Sequence, residues 1–292
     1  MLGHRLRFQV AVLTFVFFMS ALLCAQQPSH SALPDSPAAS TTGTAAAEAQ
    51  LEKDVQNPVS ELISLPLQNN TNFDEGSYGR TANVLNIQPV VPININPNWM
   101  IKSRTILPVS WQPYPEQTSG GEFGLGDTTQ TFFLAPRHAH GLAWGIGPAF
   151  VIPTGTDALL GQGKFSLGPS IVALSQPGHW TLGTIINNVW SVAGSGSRPP
   201  VNEMQLQLFI TYQMKQGWYV ISSPIIEANW RAASGNVWIL PLGGGAGRVT
   251  RMGHQRINVT AQVYGNAKYP VGTSPWGMRL QFDLLFPKEQ QQ

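Results

Sequence analysis

Trp99-Met100-Ile101-Lys102-Ser103-Arg104-Thr105-Ile106-Leu107-Pro108-Val109-Ser110-Trp111 is the stretch that decides the fold. Trp99, Ile101, Ser103, Thr105, Leu107, Val109 and Trp111 share one parity, while Lys102, Arg104 and Ser110 share the other. A period of two belongs to a strand, whose side chains point alternately to opposite faces. Trp99 and Trp111 bound one face, twelve positions apart. A strand rises about 3.3 Å per residue, and a tilt near ~40° leaves roughly 2.5 Å along a membrane normal. About ten to twelve residues then span roughly 25–30 Å, the apolar height between the two aromatic girdles of an outer-membrane barrel.

The same device recurs along the chain. Trp180 and Trp190 are ten apart, and Trp218 and Trp230 are twelve apart, so each pair shares a face. Trp144 sits with the short-turn ends, and Trp238 and Trp276 with the long-loop ends, which accounts for all nine tryptophans. Met204, Leu206, Leu208, Ile210 and Tyr212 alternate with Glu203, Gln205, Gln207 and Thr211. Ile257 to Val263 and Met278 to Phe286 alternate likewise. The runs predict twelve strands, near 62–72, 81–92, 98–111, 125–135, 142–152, 165–175, 179–192, 202–213, 217–230, 236–247, 255–267 and 275–286. The fourth and the tenth are the weakest, and the tenth holds Gly243, Gly244, Gly245 and Gly247. Connectors after odd strands are mostly long (73–80, 112–124, 153–164, 193–201), and those after even strands mostly tight (93–97, 136–141, 176–178, 214–216). Loop length sorted by parity is expected of a transmembrane, antiparallel, up-and-down β-barrel. A soluble sandwich has no reason to sort its loops this way.

Composition agrees. The chain has 292 residues, 17 Lys+Arg, 15 Asp+Glu and one cysteine, and only 11% of it is charged. An ordinary soluble domain carries about 25%. Uncharged polar residues and 29 glycines take the place of the missing charge, while the 42% hydrophobic content is ordinary. Neither disorder of the bulk of the chain nor nucleic-acid binding suits this balance. Arg5 and Arg7 precede an apolar run from Val10 to Leu23, followed by Cys24-Ala25, the layout of a secretory signal peptide. Residues 1–25 are expected to be removed after Ala25; a lipoprotein would instead use Cys24, although Leu23 stands where a small residue is wanted. Without them the chain has as many basic as acidic residues and no cysteine, so backbone pairing and packing must hold it. Residues 26–44, rich in Ser, Ala, Pro and Thr, read as a disordered leader, and 45–56 as a short periplasmic helix ending before Asn57-Pro58. The barrel is assigned to 57–286 and a tail to 287–292.

Several motifs resemble a family of Gram-negative outer-membrane proteins. Its members are labelled transporters or the outer-membrane component of a phenol-degradation meta-cleavage pathway, and some carry the name "neuromedin U". The matching stretches are Asn57-Pro58-Val59 and Leu62 through Asn70, Asn98-Trp99 with Ser103 through Pro108, and Phe123-Gly124-Leu125-Gly126-Asp127. Pro153-Thr154-Gly155-Thr156-Asp157 with Leu159-Leu160-Gly161, Gly168-Pro169, and the closing Leu285-Phe286-Pro287-Lys288 also match. The resemblance covers about 57–288. It implies an outer-membrane location and transport of a small, hydrophobic or aromatic molecule. The partners expected of the barrel are outer-membrane lipid, the barrel-assembly machinery and an unknown small-molecule solute.

The chemistry-bearing residues point to a channel and not an enzyme. Gly124-x-Gly126 and Gly145-x-Gly147 lie in strand contexts, which offer no phosphate cradle. His138 and His140 share a short turn with Arg137, read as solvated and not as a metal pair. Neither a cofactor nor a metal is expected. With Trp and Leu toward lipid, Lys102, Arg104, Glu203, Glu227, Arg279 and Asp283 face the lumen. An Arg or Lys on the lipid face at mid-depth would cost about 2–4 kcal/mol, which constrains that parity. These charges either form a selective constriction or brace the wall internally. Lys102, Arg104 and Asp283, at similar depth, could form a ring. Arg137, Lys215, Arg248 and Arg251 are placed in periplasmic turns, where they either suit anionic headgroups or serve only solubility. The function expected is a channel for an unidentified small molecule; the alternative is a structural or adhesive barrel with a closed lumen.

Overall fold

The computed structural model describes residues 53–139 and 141–286. The signal peptide, the leader, most of the expected helix, His140 and the tail lie outside the described residues. Residues 53–55, the described end of that helix, are helical.

Twelve antiparallel strands close into a barrel. They are β1 (Ile63–Glu75), β2 (Arg80–Ile87 and Val90–Asn94), β3 (Trp99–Pro113), β4 (Gly121–Leu125 and Thr128–Pro136), β5 (Leu142–Ile152) and β6 (Lys164–Ser175). Then come β7 (Trp180–Gly194), β8 (Asn202–Gln213), β9 (Trp218–Ser222 and Ile225–Asn229), β10 (Trp238–Met252), β11 (Gln255–Lys268) and β12 (Trp276–Phe286). Each strand pairs with its sequence neighbours, and β1 pairs with β12 from Ile63↔Phe286 to Phe73↔Trp276. Closure leaves no sheet edge, so no open row of unpaired backbone groups is presented to lipid. Among the described residues no helix is long and apolar enough to cross a membrane, and the crossing elements are strands.

Because register is in phase around the wall, outward side chains line up in rows. Ile146, Ile171, Ile186, Leu206 and Ile226 stand side by side on β5 to β9. Ile146, Ile171 and Ile186 are exposed, as are Leu182, Ile210, Val220 and Leu280 elsewhere on the wall. An exposed aliphatic belt of this extent would be costly in water and belongs against lipid. Tryptophans from neighbouring strands meet at the same barrel end: Trp99 with Trp144 at 6.0 Å and Trp230 with Trp238 at 5.4 Å, both edge to face. Trp180 packs on Tyr212 at 4.9 Å, Trp276 stacks on Phe73 at 4.2 Å, and Arg248 lies over Trp218. Trp111 and Trp190 are exposed at the long-loop end.

Three expectations need correction. The first long connector is short: β1 runs on to Glu75 and β2 starts at Arg80, because the turn at Asp74 and Gly76 takes left-handed backbone. Arg248 and Arg251 lie in β10 and not in a turn, since β10 continues to Met252 and reverses over only 253–254. Its glycines are strand residues, not breakers. A Cβ at Gly245 would strike the Ala261 carbonyl, and one at Gly247 the Tyr219 ring. Last, β2, β4 and β9 are each broken near mid-length, at Gln88-Pro89, Gly126-Asp127 and Ser223-Pro224. Proline lacks the N–H a ladder needs, which accounts for two of the three breaks.

Candidate functional site in the barrel lumen

The inward face changes character along the axis. At the short-turn end Met100, Phe133, Ala135, Val172 and Ile185 point inward and are buried. A water-filled lumen would leave them wet. Residues 53–62 enter there and cover them: Val59 is buried in that cluster, and Leu62 packs with Leu285, Val55 and Val249. Burial of Val59 stabilises this plug by on the order of 2 kcal/mol.

Polar contacts fix the plug's path. Lys102, 1% exposed, donates from Nζ to the carbonyl of Ser60 and, at 2.8 Å, to that of Leu62. Arg137 Nε meets Glu61 Oε1 at 2.6 Å, and Gln176 Nε2 donates to the Lys53 carbonyl at 2.8 Å. Thr211 Oγ1 donates to Gln56 Oε1 at 3.3 Å. The Arg137–Glu61 pair is partly exposed and contributes at most about 1 kcal/mol. The Lys102 contacts are buried, and each orphaned carbonyl would cost about 1–3 kcal/mol. Lys102 and the apolar cluster therefore dominate the hold on the plug.

Three cavities follow one another along the lumen. The first, about 150 Å³, lies beside the plug and is walled by Lys102 and Asp283. The second, about 520 Å³, is lined by ten carboxamide side chains, Gln68, Asn70 and Asn72 on β1 among them. Arg104, Arg279 and Glu227 also line it. The third, about 680 Å³, opens toward the long loops, with Val151, Leu159, Leu160, Val189, Pro199 and Pro200 beside Arg198, Arg231 and Glu203. The first two share Gln68, Gln88, Arg104, Ile185 and Gln207. The last two share Asp127, Thr129, Asn187 and Gln205. Shared lining residues place the three in succession along the lumen.

Each of the six charges singled out by parity lines this path, and Arg104, Arg279, Asp283, Glu227 and Glu203 bond to neutral groups. Arg104 Nη2 donates to Gln88 Oε1 at 2.9 Å. Arg279 donates to Asn70 Oδ1 at 3.0 Å and to the Ser223 carbonyl at 2.9 Å, and lies over the Tyr264 ring. Asp283 accepts from Asn258 at 2.7 Å and from Gln281 at 2.8 Å, and Asn258 in turn accepts from Tyr219 Oη at 2.7 Å. Glu227 accepts from Gln205 at 3.1 Å, and Glu203 from Gln162 at 2.8 Å. Lys102, Arg104 and Asp283 line the same plug-side cavity, where Lys102 reaches the plug, Arg104 reaches β2, and Asp283 is held by β11 and its own strand. Arg104, Arg279 and Glu227 face the same middle cavity, together with Glu75 and Asp127.

Sequence reasoning missed the carboxamide lining, the plug, and Asp127 with Arg198. The first was visible only as an excess of Asn and Gln. Asp127 stood in a quoted motif without a role. Among the described residues no group of three or more His, Cys, Asp or Glu could hold a metal. His138 lies in a turn and His179 packs on Tyr212.

No family model matches the chain, and no curated protein matches its sequence. Among solved structures it is similar to the COG4313 outer membrane channel from Pseudomonas putida F1. The TM-score is 0.60 at 15% identity, covering 79% of this chain and 97% of that one. That likeness shows the barrel fold. The outer membrane phospholipase A from Escherichia coli (TM-score 0.41, 12% identity, 77% and 92% covered) is too dissimilar to carry an argument. The same is true of the beta domain of the Bordetella autotransporter BrkA (TM-score 0.40, 12% identity, 78% and 100% covered).

Proposed function

We propose that the protein is a channel of the bacterial outer membrane for a small amphipathic molecule, with an apolar or aromatic body and hydrogen-bonding groups. The observation that carries this reading is the chain of three cavities with shared walls, running from the long-loop end to the plug. The outer cavity offers aliphatic and proline surface to an apolar body. The middle cavity offers carboxamides that can exchange hydrogen bonds with polar groups as they pass. A hydrocarbon without polar groups would have to desolvate that amide wall unpaid by new hydrogen bonds, a cost of about 1–3 kcal/mol per group. The short-turn end faces the periplasm and the long loops face outward, as in other barrels of this membrane. The aliphatic belt meets lipid, and barrel-assembly machinery inserts the chain.

A second reading, a structural barrel with a closed lumen, is favoured by one observation, the plug at the short-turn end of the lumen. Current through single molecules in a planar bilayer separates the two. Under a potassium chloride gradient Arg104→Glu should change the cation-to-anion permeability ratio severalfold in favour of cations, because Arg104 and Arg279 are the two cations facing Glu75, Asp127 and Glu227 in the lining of the middle cavity. A conducting variant with the wild-type reversal potential would remove Arg104 from the path. Complete lack of current in wild type and in loosened-plug variants would favour the closed barrel.

A further inference from the structure

The connector between β5 and β6, residues 153–163, folds back against the inner wall, where Leu159, Leu160 and Gln162 line the outer cavity beside Val151 and Val189. Its course is set by one carboxylate and one guanidinium. Asp127, at the break in β4, accepts the Gly155 N–H on Oδ1 at 3.0 Å and the Gln162 N–H on Oδ2 at 2.6 Å. It thereby staples the two ends of the loop. Arg198 donates to the carbonyls of Ala158 at 2.7 Å, Gln162 at 3.1 Å, and Gly161. Gln162 then reaches Glu203 on β8. Charge-assisted hydrogen bonds of this kind are about twice as strong as neutral ones.

Two motifs distant in sequence thus describe one contact. Phe123 through Asp127 and Pro153 through Gly161 meet so closely that side chains are excluded. A Cβ on Gly124 would strike Thr156 Oγ1, one on Gly155 would stand 2.7 Å from the Gly161 Cα, and one on Gly161 would stand 2.5 Å from Asp127 Oδ1. Asp127, Thr129, Asn187 and Gln205 line both the outer and the middle cavity, so this contact lies where one passes into the other.

We infer that the 153–163 loop, held by Asp127 and Arg198 as positioning residues, is the neck that sets the size of molecule able to leave the outer cavity for the middle one. The inference rests on the channel reading. It is tested on the full chain by single-channel conductance in potassium chloride, with neutral polyethylene glycols of increasing size added on the long-loop side. Asp127→Ala and, independently, Gly161→Ala should each raise the conductance severalfold and admit larger glycols than wild type. Asp127→Glu, which keeps the charge, should stay nearer wild type. Wild-type conductance and size threshold in both alanine variants, together with a lowered urea midpoint, would make the clasp purely structural and overturn the inference. No current from wild type, and none from Lys102→Met with its loosened plug, would remove the channel reading and the inference with it. Current from either, with an unmoved threshold in the alanine variants, would remove the inference alone.

Discussion

Leu206→Arg should nearly abolish the folded, heat-modifiable form of the protein on gels, whereas Gln207→Arg should fold close to wild type. Leu206 belongs to the outward aliphatic row, between Ile186 and Ile226 on the flanking strands. Gln207 points the other way and lines both the plug-side and the middle cavity. An arginine facing lipid near mid-depth costs about 2–4 kcal/mol, while one facing a polar lumen keeps its hydration. Since successive residues face opposite sides, adjacent positions provide the contrast with the strand held constant. Equal loss in both variants, or loss in Gln207→Arg alone, would reject the orientation of β8.

The plug should yield to Lys102→Met far more than to Glu61→Gln. Lys102→Met leaves two buried carbonyls, those of Ser60 and Leu62, without this donor, at about 1–3 kcal/mol each. Glu61→Gln weakens a partly exposed pair worth at most about 1 kcal/mol. If the plugged and displaced states interconvert, a shift of about 3 kcal/mol raises the displaced population by roughly a hundredfold. The smaller change would shift it less than about tenfold. Open probability in single-channel recordings reads this directly. A large effect from Glu61→Gln with none from Lys102→Met would reverse the assignment of what holds the segment. No change in either would mean that solute passes beside the plug, not through the space it occupies.

Much of the barrel was legible because alternation is a local property. In β3, β8, β11 and β12 the pattern of apolar and polar residues gives strand, face and approximate ends without knowledge of any neighbour. The breaks in β2 and β9 were not legible, because parity survives them; at β4 parity reverses, with Phe123 before the break and Leu134 after it both facing outward. In β9, Val220 before Pro224 and Ile226 after it lie on the same outward face, and Glu227 still points inward. The glycines of β10 looked like a weak strand because their reason lies across the sheet, in the Tyr219 ring over Gly247 and the Ala261 carbonyl over Gly245. Loop sorting was legible in outline and failed at the first connector, where Asp74 and Gly76 make a tight turn out of residues that read as a loop.

By itself, then, the sequence determined the strand period, the membrane-height spacing of tryptophans and the face on which Lys102, Arg104 and Arg279 stand, since sterics between adjacent residues set all three. Only the tertiary structure decided what those residues meet. Lys102 and the Ser60 carbonyl are 42 positions apart, and Arg279 and Asn70 are 209 apart. The plug is accepted because inward Met100, Phe133 and Val172 need an apolar cover that no strand can offer them. The loop at 153–163 turns inward because Asp127 waits on another strand to bind both of its ends. Closing the barrel brings such partners together, and a period of two carries no information about which strand lies across the lumen.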